Sequence, residues 1–86
     1  MTPEIGNYLK GVENFIIYNG YYYDKTRGNF VHRIVMEMKF GNHLASYQEV
    51  HHIDGDKLNN RPANLYVCSR QKHQWIHIMK LLELTY

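Results

Sequence analysis

The chain has 86 residues, a hydrophobic content of 44% and a formal net charge of +2, which predicts one small globular domain rather than a disordered chain. Its single cysteine, Cys68, rules out an intramolecular disulfide and a zinc ribbon built on CxxC pairs. No apolar run is long enough for a membrane span, and the N-terminus lacks a secretory pattern, so we expect a soluble, cytoplasmic protein. If so small a fold needs a bound metal ion for stability, histidines must provide the ligands.

The first predicted element is a β-hairpin. Phe15–Tyr18 and Tyr21–Tyr23 are short β-branched and aromatic runs. Asn19-Gly20 between them tolerates the positive φ values of a type I′ turn. Strand alternation then places Tyr22 on the face opposite to its two tyrosine neighbours.

A helix is predicted next, from about His32 to Phe40. Its apolar residues recur at the i, i+3, i+4, i+7 spacing of an amphipathic helix, and Gly41 follows as a stop signal. The residues on this stripe are Val31, Ile34, Val35 and Met38.

The C-terminal half is predicted as strand, loop, strand and helix. Val50–Ile53 is a short strand candidate, and the following residues 54–64 are too rich in Asp, Gly, Asn and Pro to be anything but a loop. Leu65–Cys68 is the second strand. Ser69 is a suitable N-cap for a helix that continues to Leu84 without Gly or Pro, with Trp75, Ile78, Met79 and Leu82 on one packing stripe.

Four histidines in this half point to metal chemistry. His73 and His77 are four residues apart, so on a helix both imidazoles project from one face at a spacing suited to one metal ion. His51 and His52 end a strand, where successive side chains point to opposite sides. One of them can therefore face the helical pair, while the other is free to move a proton, as a metal-assisted hydrolase requires.

These residues also carry a family resemblance. The run VHHIDGDKLNNRPANLYVCSRQKHQWIH resembles the HNH, or ββα-metal, nuclease motif, and the preceding HRIVMEM is similar to the helix that leads into this motif in phage and intron-borne HNH endonucleases. The resemblance covers about residues 29–78. It implies an α+β fold in which an N-terminal β-hairpin and helix precede a ββα-metal motif. Residues 1–86 then form a single HNH domain, with a hairpin region at 1–28, a leading helix and loop at 29–49 and the motif at 50–84.

The resemblance assigns a role to each residue of the motif. His51 is the first metal ligand, and His52 is the general base that activates water. Asn64 bonds across the loop and holds His52 in place. His73 is the second ligand, and His77 is a third ligand or a contact to the scissile phosphate. The cofactor is one divalent metal ion, which can be Mg, Mn, Zn, Ni or Co.

Arg33 is a further candidate for the site. It lies in a His-Arg dipeptide that resembles the family's, and an arginine fork can hold a phosphate at two points. The alternative is a surface arginine paired with Glu37 at i+4.

Basic residues predict DNA as the partner, without excluding a merely solvated basic face. The candidates are Lys25, Arg27, Lys57, Arg61, Arg70 and Lys72. One such site cuts one strand, so we expect either nicking or a homodimer that cuts both strands. The exposed hairpin face is the leading surface for pairing or for DNA, unless its extra tyrosine is incidental.

The sequence therefore predicts a metal-dependent endonuclease that hydrolyses DNA in the cytoplasm of a bacterial or phage-infected cell. Two alternatives stay open. One is a non-catalytic DNA-binding module stapled by its histidines, and the other is a toxin-like nonspecific nuclease.

Overall fold

A computed structural model of the chain describes residues 3–69. Its helices are α1 (Pro3–Leu9) and α2 (Val31–Phe40), with short 3₁₀ turns at Val12–Asn14 and Pro62–Asn64. Its strands are β1 (Phe15–Tyr18), β2 (Tyr21–Asp24), β3 (Asn29–Phe30), β4 (Gln48–His52) and β5 (Leu65–Ser69). The first three strands form one antiparallel sheet and the last two form another. The predicted α+β class is confirmed.

The predicted hairpin is present with its predicted turn. β1 and β2 pair antiparallel from Tyr18↔Tyr21 outwards. Asn19 and Gly20 both have positive φ, 54° and 86°, as a type I′ turn requires. The strand β3, which extends this sheet along β2, was not predicted because it has only two residues.

The two faces of this sheet carry different aromatic contacts. Tyr23 and Tyr21 both lie against Phe30 on one face, with centroid distances of 5.2 and 6.0 Å. Tyr22 lies against Phe15 on the other face, at 6.0 Å. The predicted opposite placement of Tyr22 is therefore confirmed.

Helix α2 lies at the centre of the described part of the chain. Val31 and Val35 have no exposed surface, and the helix contacts α1 and strands of both sheets. It ends at Gly41, whose φ of 75° is left-handed and suits glycine. Met36 is also buried, although it lies outside the predicted apolar stripe. The buried arc is wider than the stripe because the helix has neighbours on more than one side.

The N-terminal helix α1 completes the core. Ile5 is 1% exposed and clusters with Val31, Val35 and Met36. This helix was not predicted, because seven residues are too few to establish a helical period. No helix within residues 3–69 is long and apolar enough to cross a membrane.

The second sheet holds the predicted loop. β4 and β5 pair antiparallel from Gln48↔Ser69 to His52↔Leu65, close to the predicted strands. Residues 53–64 connect them. The helix predicted from Ser69 to Leu84 and its packing stripe lie outside the described residues.

Candidate active site

Strand β4 ends in two buried histidines. His51 faces Tyr66 across the sheet and His52 faces Leu65, and 8% and 6% of their respective surfaces are exposed. Successive residues of a strand project to opposite sides. The two imidazoles therefore have different surroundings, as the sequence predicts.

A buried amide holds the ring of His52. Nε2 of His52 lies 2.8 Å from Oδ1 of Asn60, and Asn60 is only 4% exposed. An amide oxygen accepts hydrogen bonds and cannot donate them. With the amide in this orientation, Nε2 of the neutral ring carries the proton and donates a hydrogen bond to Asn60. The lone pair is then on Nδ1, which is the atom able to accept a proton.

Rings from the hairpin and from the first turn of α2 pack against His52. The ring of His32 lies 5.2 Å away in an edge-to-face arrangement, and the ring of Tyr21 lies at 5.8 Å. His32 in turn stacks on Phe30, with a centroid distance of 5.5 Å and an interplanar angle of 22°. These contacts restrict rotation of the His52 imidazole, so packing and a hydrogen bond together set its orientation.

His32 is a neutral member of this cluster. Burial, followed by electrostatic interactions with His52 and Arg33, lowers the pKa of His32 to about 4. Its Nδ1 is buried and has no hydrogen-bond partner among the described residues, and the same is true of Nδ2 of Asn60. Buried polar atoms are usually paired, so two donors or acceptors beside His52 are available to a ligand.

Asn64 lies at the far end of the loop that follows His52. Its Nδ2 donates to Oδ1 of Asp54 and to the carbonyl of Asn59, both at 2.9 Å, and its Oδ1 accepts from the Asp54 backbone at 3.0 Å. Asn64 therefore bonds across the loop, as predicted. The imidazole of His52 is hydrogen-bonded to Asn60, and the predicted role of Asn64 in holding His52 in place stays a prediction.

Asp54 organises the loop as a carboxylate. Hydrogen bonds from Asn59, from the backbone N–H of Asp56 and from Asn64 lower the pKa of Asp54, although its side chain is solvent-exposed. Each of these donors favours the charged form. Three hydrogen bonds to the Asp54 carboxylate therefore help to fix the conformation of the loop that carries Asn60.

The family is decided by comparison with known proteins. The sequence model of the HNH endonuclease family matches residues 29–75, more than half of the chain, and the match contains His51, His52, Asn60 and Asn64. The chain belongs to the HNH endonuclease family. Comparison with curated proteins and with solved structures gave no significant match. The paired strands and the helix agree with an HNH fold.

In HNH terms, the described residues hold one of the three predicted metal ligands. His51 is buried at the end of β4, and its imidazole suits zinc, nickel, cobalt or manganese. Within residues 3–69, no group of three His, Cys, Asp or Glu residues could hold a metal ion. His73 and His77 lie outside the described residues, so the predicted ligand set stays a prediction.

Arg33 joins helix α2 to the start of the HNH strand β4. Its Nη1 donates to the carbonyl of Gln48 at 2.6 Å and its Nη2 to the carbonyl of Ala45 at 3.1 Å. The alternative partner, Glu37, instead accepts a hydrogen bond from the backbone of Leu44 at 2.8 Å. Arg33 therefore fixes the strand that carries the histidines, and its predicted contact to phosphate stays a prediction.

Two of the predicted DNA-binding residues lie against opposite faces of the hairpin. The Lys57 ammonium lies 5.0 Å from the ring of Tyr21, which also packs on His52. Arg27 lies 5.0 Å from the ring of Tyr8 and 3.9 Å from Asp24, on the other face. Lys57 thus borders the candidate site and Arg27 does not. Of the remaining four, Lys25 and Arg61 are exposed, while Arg70 and Lys72 lie outside the described residues.

Two members of the site were not found from the sequence. Asn60 is one of three asparagines in the loop, and composition alone gives no reason to choose it. His32 precedes Arg33 in the His-Arg dipeptide that resembles the family's, and this dipeptide is the sequence feature that could have indicated His32 as a site residue. Both contact His52 through the tertiary arrangement of the chain rather than through local spacing.

Proposed function

We propose that the chain is a metal-dependent HNH endonuclease that hydrolyses phosphodiester bonds of DNA, with His52 as the general base. The observation that carries this proposal is the bond between Nε2 of His52 and Oδ1 of Asn60. It leaves Nδ1 as the basic atom, in a segment that matches the HNH endonuclease family. A histidine with one nitrogen held by an acceptor is prepared to take a proton through the other.

The chemistry follows from that arrangement. Nδ1 of His52 takes a proton from water as the water oxygen forms a bond to phosphorus. The bond between phosphorus and the 3′ oxygen then breaks, and the leaving oxygen takes up a proton from solvent. His52 becomes positively charged in the step, and the Asn60 oxygen stabilises its Nε2–H. General-base assistance of this kind contributes about 10²–10⁴-fold in rate.

A divalent metal ion fits this scheme through His51, with His73 and His77 as the ligands proposed to complete its site. When bound, the ion supplies positive charge that stabilises the developing negative charge on the phosphoryl and leaving oxygens. Mg, Mn, Zn, Ni and Co are all candidates, and imidazole ligands favour the last four over Mg.

The position of Lys57 supports a DNA substrate. Its ammonium lies over Tyr21 at the edge of the ring cluster around His52, where a phosphate of the cut strand would pass. We propose that a single copy nicks one strand and that a homodimer on DNA cuts both. Light scattering with and without duplex, together with the ratio of nicked to linear plasmid, measures this.

The central experiment compares His52→Ala with His43→Ala in plasmid nicking. His43 is an exposed imidazole in the loop after α2, so its removal controls for loss of a histidine. We expect His52→Ala to keep the fold and to lose at least about 100-fold in rate, while His43→Ala cuts at the wild-type rate. Near-normal nicking by His52→Ala would show that His52 is not the base.

Metal dependence is measured in the same assay. Cleavage is expected with several divalent ions and not with chelator, and full activity in excess chelator contradicts the metal scheme. Binding of DNA without cleavage under every metal would indicate the non-catalytic module instead.

A further inference from the structure

A pocket of about 260 Å³ lies beside the rings that pack on His52. Its volume is just below the roughly 300–1,000 Å³ of pockets for drug-sized ligands, so it suits a single planar ring system. The residues that line it are Tyr21, Phe30, His32, Arg33, Glu49 and Val50. Two of these, Tyr21 and His32, are also the rings in contact with His52.

Flat rings form the wall of this pocket. Tyr21 meets Phe30 edge-on at 6.0 Å, and Phe30 stacks on His32 at 5.5 Å. Nucleobases stack on such rings with little regard to sequence, because every base has a π face. The wall therefore fits a base better than it fits a phosphate or a sugar.

Polar groups are available for the edge of a base. Nδ1 of His32 is buried without a hydrogen-bond partner among the described residues. Arg33 uses Nη1 and Nη2 for the carbonyls of Gln48 and Ala45, and a guanidinium has five N–H donors. A base that stacks on the wall would have hydrogen-bonding groups within its reach.

We propose that this pocket receives one unstacked nucleobase of the DNA strand, next to the bond that His52 hydrolyses. The proposal rests on the proposed function and adds a substrate preference to it. A base must leave its stack to enter, which is easiest when the base is mismatched or already single-stranded. The preferred substrate is therefore DNA with an unpaired base beside the cut.

The test measures binding without metal, so that no cleavage takes place. The probes are a short single-stranded oligothymidylate and its abasic analogue, which carries the same phosphates without bases. We expect the wild type to bind the strand with bases about tenfold or more tightly, in the range that stacking gives. Phe30→Leu, which keeps an apolar side chain but removes the ring, should abolish most of this difference. Tyr47→Leu removes an exposed tyrosine that does not line the pocket and should leave the difference unchanged.

The two proposals fail separately in this design. Equal affinity for the two strands, or a difference that Phe30→Leu does not reduce, overturns the pocket. His52→Ala is expected to keep the preference for bases while it loses cleavage. If the wild-type protein prefers the strand with bases but cuts no DNA, the nuclease proposal is contradicted and the base-binding pocket is supported. If it cuts DNA but shows no preference for bases, the nuclease proposal is supported and the base-binding pocket is contradicted. Circular dichroism of each variant establishes that it is folded.

Discussion

His52 and Asn60 are joined by a hydrogen bond of 2.8 Å although seven residues of the loop lie between them. The bond ties the last residue of β4 to the second half of the loop, and it selects which nitrogen of the imidazole is basic. Since both side chains are buried, water cannot easily replace either partner. The protonation pattern of the proposed base is thus a property of the loop conformation.

Asn60→Ala should lower the cleavage rate by about tenfold or more, because Nε2 of His52 loses its acceptor and the ring is no longer confined to one tautomer. Asn60→Asp keeps an acceptor oxygen and is expected to retain more activity than Asn60→Ala. Single-turnover nicking measures both rates, with Asn42→Ala in the exposed loop after α2 as the control. Cleavage by Asn60→Ala at the wild-type rate would show that Asn60 does not contribute to catalysis.

The bond between Asn64 and Asp54 should appear as coupling between mutations. Because the Asn64 amide donates a hydrogen bond to the Asp54 carboxylate, Asn64→Ala and Asp54→Ala together are expected to lower the melting temperature by less than the sum of the single changes. Thermal unfolding followed by circular dichroism gives the four values of the cycle. Asp56→Ala removes a carboxylate that caps Leu58 instead, so its effect should add to that of Asn64→Ala. Additive effects in both pairs would mean that the Asn64–Asp54 bond contributes nothing.

The low pKa of His32 predicts a pH-dependent stability. An unfolded histidine has its ordinary pKa of 6.5, whereas folding lowers the pKa of His32 to about 4. As the pH falls from about 6.5 to about 4, the unfolded state therefore gains a proton that the folded state does not, and stability decreases. His32 can contribute up to about 3 kcal/mol to this loss. The neighbouring side chains that affect the pKa of His32 are His52 and Arg33.

Urea unfolding of the wild type and of His32→Phe between these pH values measures the contribution. The variant keeps an aromatic ring but has nothing to protonate, so its stability should decline less steeply with acid. His43→Gln, which changes an exposed histidine, should decline as the wild type does. Parallel curves for the wild type and His32→Phe would show that His32 is not the group responsible.

Arg33→Lys should destabilise the fold by about 1–3 kcal/mol, because one ammonium cannot replace a fork that bonds two carbonyls. Urea unfolding measures the loss, with Arg61→Lys on the surface as a control. If Arg33 also contacts phosphate, as the sequence predicts, Arg33→Ala should reduce the salt dependence of DNA binding by about one counterion. Unchanged stability of Arg33→Lys would contradict the structural role.

The sequence predicts those parts of the fold that local chemistry specifies. Asn19, Gly20 and Gly41 have positive φ, which few residues other than glycine and asparagine adopt. The turn of the hairpin and the end of α2 can therefore be predicted from the sequence. The hydrogen-bond partner of His52 cannot be predicted from local sequence in this way. Asn60 and Asn64 are chemically identical, and the path of the loop decides which of them reaches the imidazole.

Helix α1 escapes prediction for a related reason. Its position depends on the packing of Ile5 against α2 and on the bond from the Tyr8 hydroxyl to the buried Asp24 at 2.8 Å. Both contacts join residues far apart in the chain. A segment of seven residues is also too short for its hydrophobic periodicity to predict a helix.

The family match begins at residue 29, yet the unit that folds begins earlier. Ile5 fills the core under α2, and Tyr21 forms part of the wall around His52, so residues before the match supply both stability and shape. A fragment cut at the match boundary would expose Val31 and Val35 to water and should not fold on its own. Transplanting the matched segment into another protein would therefore carry the histidines without the surface that orients them.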